Sequence, residues 1–257
     1  MAELPDLTVF AQILNRRFKG KVISKLEVSL AKKINVSGRE LKKNLENREL
    51  LQVTRAGKTL QLHFTGNQVL GLHLMLRGEL VANAQDEPPR FQILGFYFED
   101  GEGFSLIDMQ KQATPTLNPK DTEVPDALEI SEAEFLSLLA KKRTLIKTLL
   151  MDQHLIRGIG NSYADEILYH AGISPFSVAK AIPVKQAKIL FRSIESVLNQ
   201  AIEKIDKENG DELKGELRDF MQIHNAELKQ TKKGEAIKSE KIGGRKSYYT
   251  DSQEIFG

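Results

Sequence analysis

The chain has 257 residues, with 37 Lys and Arg against 35 Asp and Glu, and 40% of its residues are hydrophobic, which suffices for one large or two modest globular domains. It contains no cysteine, which excludes disulfide frameworks, thiolate zinc sites, iron–sulfur clusters and cysteine nucleophiles. No signal-peptide pattern opens the chain, and its apolar runs are too short to span a membrane. We therefore expect a soluble, cytoplasmic protein. The net charge of +2 identifies no partner, since the placement of positive charge matters more than its sum.

Residues 1–113 have the pattern of a mostly β domain led by one helix. Apolar residues from Leu7 to Phe18 recur at helical spacing. Period-two alternation predicts strands at 22–28, 59–64 and 91–98. Thr65-Gly66-Asn67 predicts a hairpin turn, and Ser37 with Glu40 predicts a capping box at the start of a short helix.

Residues 114–130 have the composition of a linker, with three prolines among Asn, Asp, Thr and Lys. Beyond them Ser131 and Glu134 predict a capping box, and an apolar stripe from Ala187 to Ile205 predicts a long amphipathic helix. We predict a helical domain over 131–224 and a basic segment over 225–257.

The most specific motif lies between Met151 and Pro175, where one helix ends at a glycine turn and a second begins directly after it. Gly158-Ile159-Gly160-Asn161 exposes backbone N–H groups at a helix N-terminus, which favours binding of a phosphate. The whole string resembles the helix-two-turn-helix signature of the formamidopyrimidine-DNA glycosylase and endonuclease VIII family. The resemblance implies that Asn161 contacts DNA.

The start of the chain carries the residues that this resemblance makes catalytic. Family members typically begin Met-Pro-Glu-Leu-Pro-Glu, lose the methionine, and use the proline amine as a nucleophile with the adjacent glutamate as an acid. Here Ala2 takes the proline position, and Glu3 is retained. An α-amine has an ordinary pKa of about 7.7–8.0, so a useful fraction is unprotonated near neutral pH. Ala2 can therefore form a Schiff base once Met1 is removed. The alternative is that Ala2 and Glu3 only precede a helix.

Four further positions match the family's DNA-contacting pattern. Lys58 resembles a β-domain lysine, which we count with Ala2 and Glu3 as catalytic. His73 lies in a segment similar to the family's His-Leu-x-Met-x-Gly-x-Leu, in which Leu76 takes the place of an apolar wedge that fills the gap left by a flipped-out base. Lys147 matches a family lysine just before the helix-two-turn-helix. Read alone, Lys58 is a charge at a strand end, His73 a hydrogen-bonded residue of a sheet, and Lys147 a helix-surface partner in a salt bridge.

The basic segment resembles the family's β-hairpin finger, in which Arg245 would reach the DNA near the flipped base. Zinc-bearing relatives have four cysteines there, whereas this chain has Gln230, Lys233, Thr250 and Gln253. We therefore expect a zincless finger held by backbone pairing and apolar contacts. The alternative is a disordered basic tail that binds DNA without specificity.

One segment departs from the family pattern. Typical members read the partner strand with an Asp-Pro-Arg-Arg-Phe-Gly loop, whereas this chain has Asp108-Met109-Gln110-Lys111-Gln112-Ala113. Lys111 can retain a phosphate contact, but Gln112 is a poor stacking wedge. We expect weak reading of the base opposite the lesion, which permits single-stranded or bubble substrates.

Taken with the resemblance, the sequence predicts an α+β protein. An N-terminal helix and a β-sandwich domain would precede a helical helix-two-turn-helix domain that ends in a zincless β-hairpin finger. The resemblance implies a monomeric base-excision repair glycosylase with AP lyase activity, associated with the nucleoid, which removes oxidised bases and uses no cofactor. No metal is expected, because the five histidines lack metal-ligand spacing.

Two other functions remain open at this stage. One is a non-catalytic protein that binds DNA damage on the same fold, since Ala2 and the altered 108–113 loop are also what a retired active site would show. The other is an RNA partner, because helix-two-turn-helix elements occur in some ribosomal proteins. The Glu3-Leu4-Pro5 start and the Arg245 segment argue against RNA.

Overall fold

The computed structural model describes residues 1–83 and 87–257. The chain forms two compact units. Unit 1 consists of Met1–Thr122 and Lys204–Leu217, and unit 2 consists of Glu123–Glu203 and Arg218–Gly257. No helix in the described part of the chain is both long and apolar enough to cross a membrane.

Unit 1 begins with helix α1, Leu4–Phe18, which confirms the periodicity-based prediction. Its first turn contains Pro5, whose missing N–H would be unpaired there in any case. Arg16 and Arg17 lie in the last turn, where positive charge complements the helix dipole. A second helix, α2 (Gly38–Leu45), starts at Ser37, whose hydroxyl accepts a hydrogen bond from the Glu40 N–H at 3.1 Å.

Eight strands of unit 1 form two four-stranded antiparallel sheets. The strands are β1 Ile23–Val28, β2 Leu50–Ala56, β3 Thr59–Phe64, β4 Gln68–His73, β5 Glu79–Ala82, β6 Gln92–Phe98, β7 Gly103–Ile107 and β8 Thr114–Leu117. The strand orders are β1-β6-β7-β5 and β2-β3-β4-β8. Both sheets contribute buried side chains to one core, in which the Phe18 ring of α1 stacks on Phe98 at 4.9 Å.

The three predicted strands correspond to β1, β3 and β6, and Gly66 and Asn67 form the predicted turn with positive φ angles of 74° and 57°. The prediction of a linker from residue 114 is wrong for its first residues, because Thr114–Leu117 pairs with β4 as strand β8. Pro115 is tolerated there because β8 lies at the edge of its sheet, where a missing N–H donor leaves no ladder bond broken.

Unit 2 is built mainly from helices. Its elements are α3 Glu132–Lys141, α4 Ile146–Met151, α5 Asn161–Ala171, a 3-10 helix Ala179–Ala181, the first part of α6 Val184–Asn209, and strands β9 Lys238–Ile242 and β10 Arg245–Tyr249. The predicted capping box at Ser131 is present, with Glu134 as its second member. The fold is therefore α+β, as predicted.

Candidate active site and DNA-contacting residues

A cavity of about 450 Å³ lies at the start of α1 in unit 1. Ala2 lines it and is itself largely buried, and Leu76 lines it from the turn between β4 and β5. Lys214, Gly215 and Glu216 contribute another part of the wall. The predicted nucleophile position and the predicted wedge therefore border the same space.

Glu3 follows Ala2 and is only 2% exposed. It forms a capping box with Asp6, in which the Glu3 N–H donates to Asp6 Oδ2 at 2.9 Å and the Glu3 carboxylate accepts from the Asp6 N–H. This reciprocal pair fixes the backbone immediately after Ala2. A carboxyl group has two oxygens with several acceptor sites, so capping does not exhaust the capacity of Glu3 for proton transfer.

The first residue of the chain is bonded to the Ala2 nitrogen, the atom that would become the free amine. Met1 lines the cavity, and its terminal ammonium forms an ion pair with the Glu216 carboxylate. While Met1 is attached, the Ala2 nitrogen is an amide and has no nucleophilic lone pair. The structure thus places the unprocessed terminus inside the cavity.

Lys58 and His73 lie close together in unit 1. Lys58 follows Gly57 in the β2–β3 turn, and Arg55 ties that turn to α1 by donating to Thr8 Oγ1 at 2.9 Å. His73 ends β4 directly opposite Thr59, the first residue of β3. Burial and the Lys58 charge lower the pKa of His73, which favours a neutral imidazole.

The turn after β4 presents the predicted wedge to solvent. Leu76 is 58% exposed and Met75 is 37% exposed, although both side chains are large and apolar. The Gly78 N–H closes the turn by donating to the Leu74 carbonyl at 2.9 Å. Exposed apolar residues at the tip of a tight turn are suited to enter a gap in stacked bases.

The loop that departs from the family pattern is ordered by one carboxylate that sequence reasoning did not single out. Asp108 accepts hydrogen bonds from the N–H groups of Gln110, Gln112 and Ala113, at 2.8, 2.7 and 2.8 Å. Lys111 adopts a positive φ of 56° within this loop and is exposed, so a phosphate contact by its ammonium group remains a prediction.

In unit 2 the glycine turn before α5 is fixed by the amide of Gln153. Its Oε1 accepts from the Gly158 N–H at 2.9 Å, and its Nε2 donates to the Ile159 carbonyl at 2.8 Å. Asn161 begins α5, and its Nδ2 donates to the Lys246 carbonyl at 3.0 Å. Asn161 Oδ1 is buried with no hydrogen-bond partner among the described residues. The phosphate contact predicted for Asn161 therefore starts from a side chain that already holds β10.

The prediction that Lys147 contacts DNA is wrong, because its side chain is completely buried. Its ammonium group pairs with Asp165 at 2.7 Å and donates to Ser247 Oγ at 2.6 Å. The alternative predicted a salt bridge on a helix surface. Lys147 does form a salt bridge, but the bridge is buried inside unit 2. Lys147 thereby joins α4 and α5 to β10.

The finger is an ordered hairpin in unit 2. Its strands β9 and β10 are joined by Gly243 and Gly244, both with positive φ, at 57° and 78°. A two-residue hairpin turn requires positive φ angles, which glycine adopts without a steric clash because it has no Cβ atom. Arg245 follows the turn and is exposed, with its guanidinium 3.9 Å from the Met151 sulfur. The alternative of a disordered tail is therefore wrong.

Hydrogen bonds hold the finger at Thr250, Gln253 and Tyr248. The Thr250 N–H donates to Gln253 Oε1 at 2.8 Å, and Gln253 Nε2 donates to the Ile173 carbonyl at 2.8 Å. Asp165 Oδ2 accepts from the Tyr248 N–H at 3.0 Å and bonds His224 Nδ1 at 2.7 Å. In residues 1–83 and 87–257 no group of three His, Asp or Glu side chains could hold a metal ion.

Two family models match this chain over most of its length. The formamidopyrimidine-DNA glycosylase N-terminal domain matches residues 1–114, and the formamidopyrimidine-DNA glycosylase H2TH domain matches residues 123–210. The chain belongs to the formamidopyrimidine-DNA glycosylase family. It is 32% identical to the formamidopyrimidine-DNA glycosylase of Pelotomaculum thermopropionicum, covering 97% of each chain. Identity to the Lactobacillus gasseri formamidopyrimidine-DNA glycosylase is 31%, over 82% of this chain and 79% of the relative.

The fold is also that of solved members of the glycosylase family. The Lactococcus lactis Fpg in complex with abasic-site DNA has a TM-score of 0.87 and 24% identity, covering 97% of this chain and 98% of that chain. A second Lactococcus lactis structure, a mutant with DNA that contains Fapy-dG, gives the same TM-score of 0.87 with 24% identity and the same coverage. The N-terminal family model includes Ala2 and Glu3, whereas Arg245 lies beyond both matched ranges.

Proposed function

We propose that this chain is a base-excision repair DNA glycosylase that removes oxidised bases and then nicks the strand at the abasic site. The observation that carries the proposal is the buried pair of Ala2 and Glu3 at the start of α1, with Ala2 on the wall of a cavity of about 450 Å³. A small residue that can present an amine, a carboxyl group beside it and an open space for a nucleotide are what a Schiff-base lyase requires. Family membership supplies the substrate class, damaged DNA.

The glycosylase step uses the unprotonated Ala2 amine as nucleophile. The target nucleotide must first leave the base stack, since C1′ is inaccessible inside a duplex. The amine attacks C1′, the glycosidic bond breaks, and its electron pair leaves with the base, which takes up a proton. The Ala2 nitrogen loses a proton, Glu3 protonates the ring oxygen, and the sugar opens to an iminium ion between Ala2 and C1′.

The lyase step follows from the iminium ion. Loss of a proton from C2′ sends an electron pair toward the positive nitrogen, and the 3′ phosphate leaves in a β-elimination. Water then hydrolyses the imine and regenerates the Ala2 amine. A second elimination at the 5′ phosphate would use the same covalent linkage.

Charged and polar groups in each unit would bind phosphates of the DNA. In unit 1 these are Lys58, His73 and Lys111, and in unit 2 they are Asn161 and Arg245. Such contacts position the strand and weaken as salt concentration rises. Leu76 would fill the gap that the flipped nucleotide leaves. The substrate would place the enzyme with the chromosomal DNA of the cell.

This mechanism requires removal of Met1, which lines the cavity. We would compare the chain with Met1 attached and the chain from which an aminopeptidase has removed it, on duplex DNA that contains a formamidopyrimidine lesion. The processed chain should release the base and nick the strand, whereas the unprocessed chain should only bind. Equal nicking by both forms would exclude the Ala2 amine as nucleophile. Binding without base release by either form would favour the non-catalytic damage-binding protein.

A further inference from the structure

The turn between β4 and β5 holds one residue in an unfavourable backbone conformation. Met75 has a φ of 57°, in the left-handed region that a non-glycine residue rarely adopts. The Gly78 N–H closes the turn on the Leu74 carbonyl at 2.9 Å. A Cβ added at Gly78 would lie 2.3 Å from that oxygen, so the turn is closely packed.

The ring of His73 makes a hydrogen bond that stabilises this conformation. The Met75 N–H donates to His73 Nδ1 at 3.0 Å. An imidazole nitrogen accepts a hydrogen bond only when it carries no proton, so the ring must be neutral with its proton on Nε2. Burial and the Lys58 ammonium lower the pKa of His73, which maintains this form. The cross-strand neighbours Thr59 on β3 and Thr114 on β8 carry no charge.

We propose that His73 is a positioning residue that holds the Met75–Leu76 tip, through its Nδ1 atom, in the shape that enters DNA. This inference rests on the proposed function, because it assigns a task to the wedge. It differs from the phosphate contact expected for His73, which would use Nε2. The two tasks use different ring atoms and can be separated by substitution.

Asn and Gln provide the matched pair of variants. The Asn side chain places an amide oxygen near the position of His Nδ1, whereas the longer Gln side chain places its amide near Nε2. His73→Asn can therefore accept from the Met75 N–H without reaching a phosphate in the same way. His73→Gln can donate toward a phosphate but leaves the Met75 N–H without its acceptor.

The measured quantity is the rate at which the wedge inserts into duplex DNA that contains a tetrahydrofuran abasic analogue. Stopped-flow mixing monitors this rate through the fluorescence of a 2-aminopurine next to the analogue. The analogue cannot form a Schiff base, so insertion is observed without catalysis. Leu76→Ala serves as the reference for a lost wedge and should insert about tenfold more slowly. We expect His73→Asn to insert at close to the wild-type rate and His73→Gln to behave like Leu76→Ala.

A second readout is the dependence of insertion on pH. Wild-type insertion should slow as pH falls through the lowered pKa of His73, since a protonated Nδ1 repels the Met75 N–H, and His73→Asn should lack this fall. Three results would each overturn the positioning role. They are a near wild-type insertion rate in His73→Gln but not in His73→Asn, equal insertion rates in the two variants, and a wild-type insertion rate that does not depend on pH. Failure of the wild-type protein to insert at all would instead count against the proposed function.

Discussion

Glu3 and Asp165 are both buried carboxylates close to the start of a helix, yet their surroundings differ. Glu3 in unit 1 caps α1 and follows Ala2, which lines a cavity. Asp165 in unit 2 is bound by the Lys147 ammonium, His224 Nδ1 and the Tyr248 N–H. A buried carboxylate surrounded by donors of the protein stabilises the fold, whereas one beside an amine and an open space can transfer a proton.

The same contrast separates the two lysines that the sequence motifs identified. Lys58 is 8% exposed in a turn near His73, and its charge lowers the pKa of that histidine. Lys147 is completely buried and pairs with Asp165. The sequence motifs mark both lysines, but only the partners show what each does: Lys147 ties α4 and α5 to β10, whereas a DNA contact by Lys58 remains a prediction.

We expect the largest effect at Glu3, the carboxyl group to which we assign proton transfer. Glu3→Gln should slow strand nicking by about 10²–10⁴-fold, because the neutral amide cannot protonate the sugar oxygen. An amide oxygen can still accept the capping bond from the Asp6 N–H, so DNA binding and thermal stability should remain near wild type. Gel assays of nicking and DNA binding measure both effects. As a matched control, Glu212→Gln changes an exposed carboxylate in unit 1 and should nick normally. Normal nicking by Glu3→Gln would remove Glu3 from the mechanism.

The second-largest effect is expected at Lys147, whose ammonium group pairs with the buried Asp165 carboxylate. Lys147→Met should lower the free energy of unfolding of unit 2 by about 3–5 kcal/mol, because Asp165 would be left as a buried charge without its cation. Urea denaturation followed by circular dichroism measures the loss, and hydrogen exchange in β9 and β10 locates it. Lys185→Met, at an exposed position of α6, should change stability by less than about 0.5 kcal/mol. Equal stability of the two variants would contradict the anchoring role of Lys147.

A smaller effect concerns the turn that carries the wedge. Gly78→Ala should destabilise unit 1 by about 1–3 kcal/mol, because the added methyl would overlap the Leu74 carbonyl oxygen. Thermal unfolding measures this loss, and the same variant should bind abasic DNA more weakly. Gly215→Ala is the control for stability, since its added methyl meets nothing within 4 Å. If Gly78→Ala were as stable as the control, the turn would be less closely packed than described.

The smallest expected effect lies in the finger. The Tyr249 hydroxyl donates to Glu240, and this bond, followed by burial, raises the pKa of Tyr249 to about 12. Because the pKa of Tyr249 is raised, the bond to Glu240 contributes fully to folding stability at pH values below the ordinary tyrosine pKa of about 10. That contribution is lost as pH rises through about 12. Spectrophotometric titration of the phenolate groups should lose its latest-titrating component in Tyr249→Phe. If the component lost in Tyr249→Phe titrated at the ordinary tyrosine pKa, the assignment would be refuted.

Local patterns predicted much of the fold. The helix from Leu7 to Phe18, strand β3 and the capping box at Ser131 depend on residues a few positions apart, so periodicity and cap residues suffice to predict them. Strand β8 was missed because its Pro115 and polar neighbours have the composition of a linker. Its pairing with β4 is a contact between distant segments that the local pattern does not contain.

The candidate site was predicted less completely for the same reason. Ala2, Glu3 and Leu76 were identified from family motifs, and the structure places Ala2 and Leu76 on one cavity. The buried Lys147 ammonium donates to Ser247 Oγ, which is 100 residues away in sequence. The pairing of the Met1 ammonium with Glu216 likewise joins distant segments, and no motif marks Glu216.

The decisive test of the Ala2 nucleophile is borohydride trapping of the protein, freed of Met1, on an oligonucleotide with an abasic site. Borohydride reduces the Schiff base to a stable amine, and mass spectrometry of the digested adduct locates the modified residue. We expect one covalent adduct on the Ala2 nitrogen. An adduct on a lysine, or no adduct from protein shown to bind the same DNA, would contradict it.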